Sequence, residues 1–301
     1  MSGSLYRLLL PDPGLRLFVV EGRSAVEEAR TRHQLTAGST LPLGRALMGA
    51  SLLAWDAKSG HRITLQFKSQ GPIGGVVADA RPDGSVRGYV HVPQLAFPIA
   101  DVPRIAHAAL GNRGAAQLVR ETESGLSTGQ VELVTGGIDR DIEALIGASD
   151  GERCAVGLGV FVAPGADEES FEITGATGAM VMALPDADPY AFDDVARRVR
   201  ALSDTPWEGS ITDLVSTLAG SYRHETMAMQ AFRFECPCTT EAVARVLISL
   251  GPEELISMAL DPGHAEIVCH YCNHAYRFEE QALRLMADDL QPIEDAPLGE
   301  A

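Results

Sequence analysis

Apolar residues along this chain change period several times, and the changes outline its elements. "LRLFVV" (15–20) reads as a strand, and "SAVEEARTRHQL" then opens a helix with Ser24 and Glu27 spaced as a capping box. "TLPLGRALMGASLLAWDAKS" (40–59) is apolar on every side, which predicts a buried helix with Pro42 tolerated in its first turn. In "HRITLQFKS" Ile63, Leu65 and Phe67 alternate as one face of a strand. The turn sequences "QGPIGG" and "RPDGS" bracket "VVADA" and lead into "VRGYVHV", the outline of an antiparallel meander. Further strands are expected at 129–135, 154–163 and 178–185, around a helix at 139–147. Consecutive strands with separate helices imply an α+β fold with an antiparallel-sheet core domain over 1–185.

Beyond 185 the pattern becomes helical and more polar. "DPYAFDDVARRVRALSD" has Asp188 as N-cap and Pro189 at the first helical position, with Phe192, Val195, Val199 and Leu202 on one stripe. "SITDLVSTLAGSY" is a second short helix that starts near Ser210 and stops at Gly220. Region 186–230 is therefore expected to be a helical linker that needs its neighbours to stay folded. Region 231–286 is a small separate domain, and the acidic, Pro-containing tail 287–301 is expected to be disordered.

Charge narrows the functional classes. The 301 residues are 46% hydrophobic and 22% charged, a globular composition, with a formal net charge of −17. So acidic a surface repels phosphate backbones, which argues against a nucleic-acid partner. No apolar run approaches the roughly 18 to 20 residues that span a bilayer, and the first residues resemble neither a signal nor a transit peptide. The expectation is a cytoplasmic protein without a membrane partner. Enzyme signatures are lacking: "GSVRGYV" has no Gly-Lys-Ser/Thr, and "GLGVFVAPG" lacks the strand-turn-helix setting of a dinucleotide loop. The chain reads as a non-enzyme.

Of five cysteines, four fall in the last region, as C-x-C (Cys236, Cys238) and C-x-x-C (Cys269, Cys272). Two short-spaced pairs about 30 residues apart suit a tetrahedral Cys₄ site for one Zn²⁺ per chain, each pair on a tight turn. Between them, "TTEAVARVLISL" is a helix capped by Thr239 or Thr240, and "GPEELISMAL" is another; "AYRFEEQALRLM" continues as strand, then helix. A domain this small has a thin core and leans on its metal. Two readings stay open. The zinc ribbon is permanently closed, or its thiolates are oxidised, eject the metal and unfold the domain. Pro237 stiffens the C-x-C. His264, His270 and His274 are read as exposed polar residues, since four thiolates already satisfy zinc, and Cys154, which opens an apolar strand, as a buried core residue.

The order "FECPC … LISLGPEEL … IVCHYCNHAYRF" resembles the zinc-binding redox-switch domain of the 33 kDa chaperonin family, the redox-regulated heat-shock chaperones. "LGRALMGASLLA" (43–54), "GPIGGVVADARPDGSVRGYV" (71–90) and "GAMVMALP" (178–185) are similar to that family's core segments, while 117–153 departs most from the pattern. The resemblance implies an ATP-independent holdase that is inactive when reduced and zinc-loaded. It implies ligation of zinc by Cys236, Cys238, Cys269 and Cys272, and on oxidation the disulfides Cys236–Cys238 and Cys269–Cys272. Zinc release then unfolds the switch domain and linker, and a homodimer holds unfolding client proteins. Two other classes compete: a permanently folded zinc-ribbon module that binds RNA or a protein partner, and a thiol-disulfide enzyme using its C-x-x-C.

Overall fold

The structure is a computed structural model that describes residues 3–56, 62–96, 107–122, 125–166 and 170–289. The chain divides into two compact units, Met1–Cys236 and Pro237–Ala301.

In the first unit the N-terminal segment Gly3–Leu10 is itself a strand (β1), with Leu5, Leu8 and Leu10 buried. It pairs antiparallel with Leu15–Glu21 (β2) across a turn in which Gly14 takes φ +68°, a left-handed conformation natural to glycine. The next helix, Arg23–His33 (α1), corrects the expected capping box. Its N-cap is Gly22, without a side-chain cap bond, so Ser24 already lies inside the helix, and Glu27 instead accepts from Arg30. Helix Ala37–Asp56 (α2) starts before the expected Thr40, which places Pro42 in its interior. Residues 57–59 of that expected helix lie outside the described residues. As predicted, α2 is buried nearly all round, including Leu43, Leu47, Met48 and Leu52.

The meander forms as its turns dictate: Ile63–Ser69 (β3), Gly75–Ala80 (β4) and Ser85–Val90 (β5) pair antiparallel in succession. Strand Gly114–Thr122 (β6) pairs with β3, with Leu118 opposite Leu65, and with Gly125–Glu132 (β7), which lies earlier than the expected 129–135. Helix Asp139–Asp150 (α3) is followed by the hairpin Cys154–Pro164 (β8) and Phe171–Ala183 (β9). β9 begins before the expected residue 178: Gly175 and Gly178 interrupt its apolar alternation, but both still pair with β8, opposite Phe161 and Leu158, with a register shift just beyond Gly175.

Helices Pro189–Ala201 (α4) and Ile211–Ala219 (α5) lie where the sequence places them. Their apolar stripes close a core with β1, β2, β8 and β9, in which Phe192, Val195, Val199, Leu202, Leu214 and Leu218 are all buried. Strand Glu225–Phe234 (β10) completes a ten-stranded sheet of order β7-β6-β3-β4-β5-β10-β1-β2-β9-β8. The sheet is antiparallel except where β10 runs parallel to β5, at Arg233–Ser85 and Phe234–Val86. The α+β architecture is thus the one the sequence implies.

The second unit is small. Helices Thr240–Ile248 (α6) and Pro252–Leu260 (α7) precede the hairpin His264–Val268 (β11) and Ala275–Glu279 (β12), and Glu280–Asp288 (α8) follows. Tyr276 and Phe278 alternate onto the inner face of β12 and pack with Leu247, Leu255, Ala259, Leu283 and Ala287. The tail is expected to be disordered from residue 287, but α8 runs to Asp288 and buries Ala287; the rest of it, from residue 290 onward, lies outside the described residues.

Candidate metal centre

The C-x-x-C sits in the loop of the β11–β12 hairpin. Val268 pairs with Ala275, so residues 269–274 form the connection. Its backbone turns back on Cys269, whose carbonyl accepts from the N–H of Cys272 at 3.3 Å and of Asn273 at 2.8 Å, while the Cys269 N–H donates to the His274 carbonyl at 2.9 Å. Asn273 adopts φ +56°, and asparagine is among the few residues other than glycine that enter this region readily. The turn thereby aims both cysteine side chains the same way.

The C-x-C is positioned by the elements that flank it. The Glu235 N–H donates to the Val86 carbonyl at 2.8 Å, so Cys236 leaves directly from the end of the β5–β10 ladder. Cys238 immediately precedes Thr239, the N-cap of α6, whose hydroxyl accepts from the Ala242 N–H at 3.2 Å. Of the two caps the sequence allowed, Thr239 is the one used.

The four Sγ atoms of Cys236, Cys238, Cys269 and Cys272 all lie within 4.8 Å of one another. The Cys238 and Cys272 sulfurs are 3.4 Å apart. A tetrahedral metal with Zn–S bonds of about 2.3 Å holds its sulfurs about 3.8 Å apart. The cluster therefore fits one tetrahedral thiophilic ion, and its all-sulfur donor set favours zinc over hard cations. His264, His270 and His274 are not members of this cluster.

Two neighbours were not singled out from the sequence. The Tyr276 hydroxyl donates to Cys238 Sγ at 3.0 Å, and this bond, ahead of burial and the surrounding sulfurs, pushes the phenol above its usual pKa. The signal was available: Tyr276 shares the inner face of β12 with Phe278, which directs it toward the core beside the knuckle. Arg87, anchored on buried Asp79 at 2.8 Å, also directs Nη1 to Cys236 Sγ at 3.6 Å. No local pattern reveals that pair, because the β5–β10 pairing creates it. Cys154 lies apart at the start of β8, and it corrects the expectation of a buried core residue. It is half-buried at the rim, because strand β8 enters the core only after it.

Comparison with known proteins adds an independent line. The family model described as Hsp33 protein matches residues 3–279. The 33 kDa chaperonin of a Thermus thermophilus strain is 34% identical over 96% of this chain and 88% of its own. That of a Synechococcus species is 32% identical over 93% of this chain and 91% of its own. The crystal structure of the 33 kDa chaperonin, or heat shock protein 33 homolog, from Thermotoga maritima superposes with a TM-score of 0.83 at 27% identity, covering 96% of this chain and 99% of that one. Among the described residues no helix is long and apolar enough to cross a membrane.

Proposed function

Because the chain belongs to the Hsp33 protein family and acts as a chaperone, we propose that it is a redox-regulated, ATP-independent holdase of the cytoplasm, switched by its cysteine cluster. The observation that carries this reading is the gathering of four cysteine sulfurs within 4.8 Å of one another, beside a core as small as that of the second unit.

Bound Zn²⁺ would keep the four sulfurs deprotonated and tie the C-x-C to the C-x-x-C. Structural zinc contributes about 10 to 16 kcal/mol in small finger peptides, more than the whole stability of many domains. The neighbouring thiolates Cys236 and Cys238, and likewise Cys269 and Cys272, then react with an oxidant such as peroxide. In each pair the sulfurs give up two electrons and form one S–S bond. The peroxide O–O bond breaks, and with two protons it leaves as two waters. A disulfide sulfur is no longer a thiolate ligand, so two such steps release the metal and the energy that folded the unit. Unfolding of this unit and of the helices at 186–230 bares apolar surface that holds unfolding clients, and the oxidised protein works as a homodimer. No step consumes a nucleotide or turns over a substrate, consistent with a protein that is not an enzyme.

The test is light scattering of a heat-aggregating, unrelated client. Reduced, zinc-loaded protein is expected to leave aggregation unchanged, and peroxide-treated protein to suppress it while releasing about one zinc per chain. Suppression by the reduced protein would remove the redox switch and leave a constitutive chaperone. Failure in both states would favour a permanently folded zinc ribbon that docks RNA or a protein partner. A Cys269→Ser variant is expected to lower zinc affinity and to be partly active without oxidant. Wild-type affinity in that variant would contradict the ligand assignment.

A further inference from the structure

Strand β8 ends the large sheet, and an edge strand leaves alternate N–H groups facing outward. Here two of them are taken by side chains in place of another strand. The Val156 N–H donates to Glu143 Oε1 at 2.8 Å, and the Leu158 N–H to Ser203 Oγ at 3.1 Å. Glu143 comes from α3, and Ser203 from the turn that follows α4. The same two side chains also join α3 to α4. Ser203 Oγ donates to Asp139 Oδ2 at 2.6 Å, and Arg200 forks onto Glu143 with contacts of 3.0 and 2.9 Å. From α2, Arg45 Nη2 donates to the Ser203 carbonyl at 3.1 Å. Gly157 and Gly159 let α4 sit close against the strand, since a Cβ at either would collide with the carbonyl of Val199 or Leu202.

This seam differs from the apolar packing around it. Arg45 is 4% exposed and Asp139 6%, and Arg45 Nε is buried without a hydrogen-bond partner in the described structure. Burial pushes the Asp139 carboxyl above its usual range, against the opposing pull of Ser203, Arg45, the Arg140 N–H and His107. A buried ionic cluster of this kind adds little net stability, while losing one member is severe. Its position suggests a specific role. It occupies the outward N–H groups of β8 with carboxylate and hydroxyl oxygens, the places that backbone carbonyls of an added strand would take.

We propose that the Glu143–Arg200 and Asp139–Ser203–Arg45 seam is a cysteine-independent lock, and that opening it frees the end of α4 and bares the β8 edge to an extended, unfolded polypeptide. The incoming chain supplies carbonyl acceptors to Val156 and Leu158 and lays apolar side chains where α4 had packed. The docking half rests on the chaperone reading. The lock half does not.

The experiment uses the full chain, reduced and metal-loaded. It compares wild type, the double variant Glu143→Ala with Ser203→Ala, and Leu118→Ala as a destabilised control on β6, far along the sheet from β8. Hydrogen exchange is read in β8 and α4, metal content and reactive thiols are counted, and binding of a reduced and alkylated, permanently unfolded polypeptide is measured. The double variant is expected to exchange at least tenfold faster at Val156, Leu158 and α4 with metal content and the four clustered thiols unchanged. It should also bind the probe, which restores protection at Val156 and Leu158. Unchanged exchange, or an equal rise in Leu118→Ala, would overturn the lock. Faster exchange without probe binding would overturn the docking half; oxidised wild type then separates the causes, because its failure to bind the probe also removes the chaperone reading. Should the double variant not fold, Arg200→Met, which leaves both β8 acceptors in place, is expected to loosen α4 severalfold, and an unchanged α4 overturns the lock.

Discussion

Cys154 carries the same thiol as the four clustered cysteines in an opposite setting. Burial, and next the Glu143 carboxylate, push its pKa up to about 12, with Arg200 pulling the other way. Since only the thiolate attacks an electrophile, Cys154 stays inert at neutral pH. Alkylation at pH 8 after metal removal is expected to modify four thiols quickly and Cys154 at least about a hundredfold more slowly, as its small thiolate fraction requires. Five equal rates would refute this. Because the folded pKa is raised, this thiol favours folding below its unfolded pKa, and that contribution is lost as pH rises through about 12. That Cys236, Cys238, Cys269 and Cys272 form two short-spaced pairs able to hold a metal was legible because each spacing is local. The half-burial of Cys154 was not, because it depends on where a strand enters the core. The same holds for Arg87, which reaches Cys236 only through strand pairing.

At the scale of elements, α4 shows when sequence suffices. Asp188 accepts the Tyr190 N–H at 2.8 Å, Pro189 takes the first helical position, and the predicted stripe is buried while Tyr190 is exposed. Each signal is local and all agree, so the helix was read nearly to the residue. Its attachment to α5 is tertiary: Arg198 Nε donates to the Leu218 carbonyl at 2.9 Å. Phe192→Ala is expected to destabilise the first unit by about 3 to 5 kcal/mol, Asp188→Ala by about 1, and Tyr190→Ala by less than about 0.5. Urea unfolding checks the order, and a reversal of Phe192 and Tyr190 would contradict the packing. The capping box at Ser24 failed for the converse reason. Its spacing was right, but the strand β2 ends so close to α1 that the helix begins at Arg23.

For the whole molecule, metal dependence should divide the chain. The second unit has a small core and carries three of the four clustered cysteines, whereas the first is built on a ten-stranded sheet with a far larger core. A strong chelator on reduced protein is expected to abolish amide protection across 240–288 while β1–β5 stay protected, and readdition of zinc to restore it. Retained protection across 240–288 without metal would show that this unit folds on its own apolar core. The sequence by itself determined the cysteine pairing into two knuckles, the helices between them, α4 and α5, the β3–β5 meander and the α+β class. All of these arise from contacts or caps between residues close along the chain. The tertiary structure decided the rest. β1, β6 and β10 show little alternation of their own and become strands because partners take their backbone hydrogen bonds, with β10 alone running parallel, to β5. The polar seam on β8 likewise gathers α2, α3 and the end of α4, residues more than 150 positions apart between Arg45 and Ser203. A hydrogen bond across that distance leaves no periodic trace, because its geometry exists only once the sheet has brought its ends together.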